Sequence, residues 1–250
     1  MLLEKYRFVH SGWVLCSRKL GVYAVHTFSE RLDCDLMLTL LTAASRRHRA
    51  LAPSMAASSS SDDAKLIRLT ERWVEGFVVG HDLCPFAAAV RRHTRYAVCR
   101  AADPLPAFES ELRDLRAIDP AVAATTLVLL PGDEFGGFEA LMELQPDVQD
   151  LADELGGPGG AGVQVLPFHP QATYAEEDEL HDAFDFTTRS PVPMLHLLRE
   201  ADVHAAEDSW HARGGSPIQE RNAAYMRGLG YDTAAAIRAA AIEASGGSQS

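Results

Sequence analysis

The chain has 250 residues, 47% of them apolar, and a formal net charge of −12. That is enough apolar material to fill a core, yet no stretch approaches the roughly 18 consecutive apolar residues that cross a bilayer. The charge is uneven: residues 1–61 carry eight basic against four acidic side chains (net +4), residues 62–250 fifteen against thirty-one (net −16). An acidic body argues against nucleic acid or an anionic membrane as the main partner, while a local basic pocket could still hold a small anion.

Residues 36–61 contain no acid, three arginines and many Ala and Ser. This is the composition of a transit peptide for a plastid or mitochondrion, with Met37 as its start. The other reading is a tail without an address on a cytoplasmic protein, with Met55 as the start of a short form and residues 1–35 as upstream sequence. Either way the expected domain is 62–245, followed by a flexible Gly/Ser tail at 246–250.

Leu66, Ile67, Leu69, Trp73, Val74, Phe77 and Val78 recur at helical spacing. They predict a helix over about 63–79, capped by Asp62 or Asp63 and stopped by a left-handed Gly80. Residues 95–101 read as a strand. Pro106 opens a helix bearing Phe108, Leu112 and Leu115 on one face. The run 125–130 (TTLVLL) is the clearest strand, ended by Pro131-Gly132.

A helix or a broken pair of helices is expected over about 134–155, interrupted at Pro146. Glycines then mark a turn over 156–162, and 163–168 (VQVLPF) is a third strand. Strands alternating with helices predict an α/β fold, a βαβαβ core with a mainly parallel sheet under helical covers. Residues 169–190 read as acidic loop. Ser190-Pro191 and Ser216-Pro217 predict two helix starts, and an Ala-rich helix is expected over about 232–244.

Three places could carry chemistry. Cys84 precedes Pro85 at an expected helix start, where free amides and the helix dipole would stabilise a thiolate, with His81 close by. The alternative is a buried structural cysteine. His169 follows the third strand at its carboxyl end, where sites of parallel sheets collect, and could be a general base, a metal ligand or a structural histidine. Arg189 and Ser190 stand at the next expected helix start, a seat for an anion. On that helix His196 and Arg199 would share a face, with Glu200 orienting the imidazole; otherwise Ser190 caps and Arg199 pairs at the surface. Cys84, His169 and His196 are also ligand types for zinc or copper, though their spacing is not diagnostic. With no CxxC among the four cysteines, the chain is not a disulfide scaffold.

Five stretches together resemble the family called domain of unknown function 1415. These are Trp73 with Gly80-His81-Asp82-Leu83-Cys84-Pro85-Phe86-Ala87, then Thr125-Thr126-Leu127-Val128, then Gln164-Val165-Leu166-Pro167-Phe168-His169-Pro170. The longest is Arg189-Ser190-Pro191-Val192-Pro193-Met194-Leu195-His196-Leu197-Leu198-Arg199-Glu200, and Ile218 with Arg221-Asn222 completes the set. The likeness covers roughly 66–230. Where the family shows Asn-Tyr-Thr-Asn, this chain has Asp185-Phe186-Thr187-Thr188. The resemblance implies positions and no reaction or cofactor.

Two functions follow as expectations. One is an enzyme acting on a small anionic metabolite, with Cys84 as thiol, His169 or His196 as acid/base, and Arg189, Ser190 and Arg199 holding the anion. The other is a non-catalytic protein that binds a metal ion or an anionic ligand with the same residues. A reactive thiol favours the first; tightly held metal with an inert thiol favours the second.

Overall fold

The computed structural model describes residues 59–157, 162–174 and 181–243. Most of the acid-free stretch 36–61, the 246–250 tail and the acids at 176–179 therefore lie outside the described residues. Helix α1 spans Ser59–Trp73 and runs on as a π-helical segment, Val74–Val79. A four-residue helix α2 (Ala87–Val90) leads into strand β1 (Thr94–Val98). Then come α3 (Leu105–Ala117), β2 (Thr125–Leu129), α4 (Phe138–Gly156), β3 (Val163–Phe168) and β4 (Met194–Arg199). Three helices close the chain: α5 (Glu200–Ala212), α6 (Ile218–Leu229) and α7 (Tyr231–Glu243). Among the described residues no helix is long and apolar enough to cross a membrane.

The fold is mixed α/β, with strand order β1-β2-β4-β3. β1 and β2 pair in parallel, as expected of strands joined through a helix. β4 lies between β2 and β3 and is antiparallel to both. β3 thus points the same way as β1 and β2, but two of the three pairings are antiparallel. The expectation of a mainly parallel sheet is corrected by this inserted strand.

β4 itself overturns a second expectation, because the Ser190-Pro191 signal predicts a helix over these residues. Ser190 does not cap one: its hydroxyl donates to the Val192 carbonyl at 2.6 Å. Met, Leu and Arg are good helix formers, but propensity is a weak prior that tertiary context overrides. Met194 packs on one sheet face, Leu195 and Leu197 on the other. That alternation buries both faces of a central strand.

The first face, with Leu127, Leu129 and Met194, meets Leu66 and Leu69 of α1. The second, with Val128, Val163, Val165, Leu195 and Leu197, meets Phe108, Leu112 and Leu115 of α3 and Leu141, Val148 and Ala152 of α4. Pro146 sits inside α4 without ending it. Side chains on either side of that proline fasten the helix to the free edge of β3. Gln145 Nε2 donates to the Val165 carbonyl (3.0 Å), Gln149 Nε2 to the Val163 carbonyl (2.8 Å), and the Val165 amide donates to Gln149 Oε1 (3.0 Å). An edge strand covered this way offers no free ladder to another chain.

Smaller corrections follow the same logic. Asp62 lies within the first turn of α1 and pairs with Lys65 rather than capping. Gly80 is right-handed, φ −61°. Its glycine is required by contact instead, since a Cβ there would collide with the Gly76 carbonyl oxygen. At the α6–α7 junction Gly230 does take a positive φ, 80°, which glycine adopts without steric cost. The α6 start has Pro217 as its cap residue, with no side-chain cap from Ser216.

Candidate functional site

The π-helical segment ends at Gly80, and the chain then makes a tight loop through His81, Asp82 and Leu83 to Cys84. Asp82 has φ 52°, the one positive-φ residue other than glycine among the described residues. Aspartate tolerates this region better than most residues, yet it is sparsely used and must be held by its surroundings. A π-helix followed by a strained loop is a combination often found at functional sites.

What holds the loop is α6, 139 residues further along. Arg221 Nη1 donates to the Asp82 carboxylate at 2.8 Å, and Nη2 donates to the Asp82 carbonyl oxygen. Nε and Nη2 also donate to Asn222 Oδ1, at 3.3 and 3.0 Å. Asn222 Nδ2 donates to the Leu83 carbonyl at 2.7 Å. One turn on, the Tyr225 hydroxyl is 2.8 Å from His81 Nδ1. The Arg221 guanidinium lies over the Trp210 ring, 5.2 Å from its centroid, and Trp210 is fixed in turn by donating to the Ser216 carbonyl at 2.7 Å. Leu83 is buried with Trp73, Phe77, Phe186 and Met226, which anchors the loop from below.

Cys84 is half-buried here. Burial pushes its thiol above the ordinary value of 9.0, and the Asp82 carboxylate adds to the rise. The amides of Phe86 and Ala87, pointing at the sulfur, and the Arg221 charge act against it without reversing it. The expectation of a lowered thiol at a helix start is corrected. α2 has only four residues, and its cap position is Phe86. Cys99, which directly follows β1, is by contrast a core residue against α3 and α4.

The other residues singled out in the sequence lie in different surroundings. His169 is 1% exposed, and both ring nitrogens are engaged. Nε2 is 2.9 Å from the Phe135 carbonyl, so it carries the proton, and Nδ1 accepts from the Gln171 amide at 3.0 Å. Burial lowers its pKa, which suits this neutral form.

His196 sits on the α1-facing side of β4, 2.5 Å from Thr125 Oγ1. The Thr125 hydroxyl donates to the Leu197 carbonyl at 2.9 Å, so it must accept from His196 Nε2. Burial lowers this imidazole to about 4. His196 and Arg199 are on opposite sheet faces, not on one helix face.

Arg189 spends its donors inside the protein: Nε on the Ala172 carbonyl (2.8 Å), Nη1 on the Tyr231 hydroxyl (2.7 Å) and Nη2 on Asp185 (3.4 Å). Its guanidinium also lies 4.7 Å from the Phe186 ring centroid. Asp185 stands where the resembled family shows asparagine, and here it supplies a charge for Arg189. Arg238 fixes the same corner by donating to the carbonyls of Arg189 and Ser190, both at 2.6 Å. Arg199 is likewise committed, to Asp202 and to the loop before β2.

Among the described residues no group of three or more His, Cys, Asp or Glu is arranged to hold a metal ion. The shared zinc or copper site of Cys84, His169 and His196 is therefore corrected. An open cleft of about 370 Å³ between α3 and α4 includes Asp103, Glu109, Asp147 and Asp150 in its lining. Its carboxylates would repel an anion, and none of the candidate residues line it.

Reading by spacing alone missed the meeting of Asp82 and Arg221. The signal that could have found it was present, since Gly80–Ala87 and Arg221-Asn222 both belong to the resembling stretches. Neither a curated protein nor a solved structure matches the chain. A family model does, over residues 65–236, and the chain belongs to the family it describes, protein of unknown function DUF1415.

Proposed function

We propose that the protein is an enzyme acting on a small anionic metabolite, with Cys84 as its reacting thiol and Arg221 as the cation that holds the substrate. One observation carries this reading: a strained loop bearing the cysteine is clamped by an arginine and an asparagine from a helix 139 residues away. Strain maintained by so many polar bonds is characteristic of sites. In the reaction the sulfur adds to a carbonyl carbon of the bound anion, the C=O π pair moving onto the oxygen, and the thiol proton passes to a base. His81, on the same loop and fastened by Tyr225, is the base in this reading. His169, His196, Arg189, Ser190 and Arg199 build the scaffold, their polar atoms being bonded within it.

The test is iodoacetamide labelling of the folded full chain across pH, with each cysteine followed by mass spectrometry. Cys84 is expected to label before Cys99. Its rate should keep rising through pH 9, because the fold holds the thiol above its ordinary value. Labelling of Cys84 only after unfolding would refute the enzyme reading. A non-catalytic protein that binds an anionic ligand would then be the better account.

A further inference from the structure

Three of the four hydrogen bonds made by the Arg221 guanidinium are fixtures of the fold. These three go to the Asn222 amide oxygen and the Asp82 backbone. The cation–π contact with Trp210 is the fourth restraint, leaving the planar group oriented and short of freedom. The remaining bond, Nη1 to Asp82 Oδ2 at 2.8 Å, is of another kind. The Asp82 side chain is 67% exposed and that of Arg221 24%. An exposed pair of this sort is weak, equivalent to no more than about fivefold in an equilibrium. Arg221 thus offers one preoriented N–H whose present acceptor is easily replaced.

We propose that the Asp82 carboxylate is a built-in stand-in for the carboxylate of a small ligand, which replaces it on Arg221 Nη1 beside the Cys84 thiol. This rests on the reading of the Cys84 loop and α6 as the site. The occupant is a monocarboxylate and not a phosphate dianion, for two reasons. Only Nη1 is open to a new partner, because the N–H groups of Nε and Nη2 are held by Asn222 and the Asp82 carbonyl, so the seat offers one nitrogen and not a two-nitrogen fork. The chain is also strongly acidic, net −12, and a single arginine is a poor counter-charge for a dianion there. Asp82 and Arg221 are the charged groups that act on the sulfur, so the occupant of the seat is sensed by the thiol.

The experiment exchanges one carboxylate for another. Asp82→Asn keeps a residue that accepts positive φ and removes the charge. The variant's Cys84 labelling midpoint should fall, since the carboxylate favours the neutral thiol. Acetate should then raise the midpoint back toward that of the unsubstituted protein, while chloride at equal ionic strength should not. In the unsubstituted protein acetate should change the midpoint little, one carboxylate merely succeeding another. Acetate should bind Asp82→Asn about two- to fivefold more tightly, its internal competitor being gone. Arg221→Gln should abolish every acetate effect.

Thermal unfolding gives a readout independent of the thiol: acetate should raise the melting temperature of Asp82→Asn more than that of the unsubstituted chain. A midpoint and melting temperature in Asp82→Asn that respond equally to acetate and chloride would overturn the proposal. So would a response to inorganic phosphate alone. If Cys84 never labels in the folded state but the melting temperature does respond to acetate, the seat stands and the enzyme reading falls.

Discussion

Replacing Arg199 by alanine is expected to cost about 3–5 kcal/mol of stability, the range found when one member of a buried, bonded ion pair is removed. The Arg199 side chain is 6% exposed at the end of β4. Its Nε donates to Asp202 Oδ2 at 2.7 Å, and Nη1 donates to the Ile118 carbonyl at 3.1 Å. Nη2 donates to the Val122 carbonyl. Asp202 also accepts from the Ala124 amide at 3.2 Å, so the pair stitches α5 and β4 to the loop that launches β2. Alanine would strand two carbonyls and a carboxylate in a largely dry corner, each at the cost of an unmade bond. Arg199→Lys should recover part of the loss, because an ammonium can reach one or two of these acceptors but not all. Urea unfolding measures both variants; a loss below about 1 kcal/mol for Arg199→Ala would show an exposed, dispensable pair.

The second large effect is acid sensitivity through His196. Its pKa in the folded protein is about 4 against an ordinary 6.5. The unfolded chain therefore takes up the proton first as pH falls. The stabilisation from a neutral His196 is complete above pH 6.5 and drains away between 6.5 and about 4, amounting to about 3 kcal/mol. Below that range no further loss comes from this residue. Burial explains why protonation is resisted. Nε2–H already serves Thr125, and the added proton would bring a charge onto an imidazole packed 5.9 Å from the Phe168 ring.

His169 shifts in the same direction, so the two must be separated. The decline measured by urea unfolding between pH 6.5 and 5, where most carboxylates have yet to titrate, should flatten in His196→Gln. An NMR titration should place the His196 ring near 4; a midpoint near 6.5 would show that the imidazole is solvated and that the acid effect arises elsewhere.

Local physics was enough for much of the scaffold. Thr125–Leu129 and Val163–Phe168 are short apolar runs bounded by turn residues, and both are strands. Thr94–Val98 begins one residue before its expected start, and α3 buries the three side chains its spacing marked. These signals survive because they concern one element and the face it must bury. The family stretches were legible too, since the identity, order and spacing of residues are properties of the sequence.

What failed were the decisions that belong to pairs of elements. Residues 194–199 have helix-forming side chains behind a Ser-Pro signal, yet the space between β2 and β3 makes them a strand, and the sheet becomes mixed. Pro146 removes one donor from α4, but packing and two glutamines fastened to β3 keep the helix whole.

At the site the same division holds. The residues Asp82, Cys84 and Arg221 can be read off the sequence, but their meeting cannot. The local rule for a cysteine before a proline predicts a lowered thiol, whereas burial of the sulfur in the folded protein raises it. Solvent exclusion and the reach of a side chain across 139 residues are properties of the folded whole, and only the tertiary structure decides them.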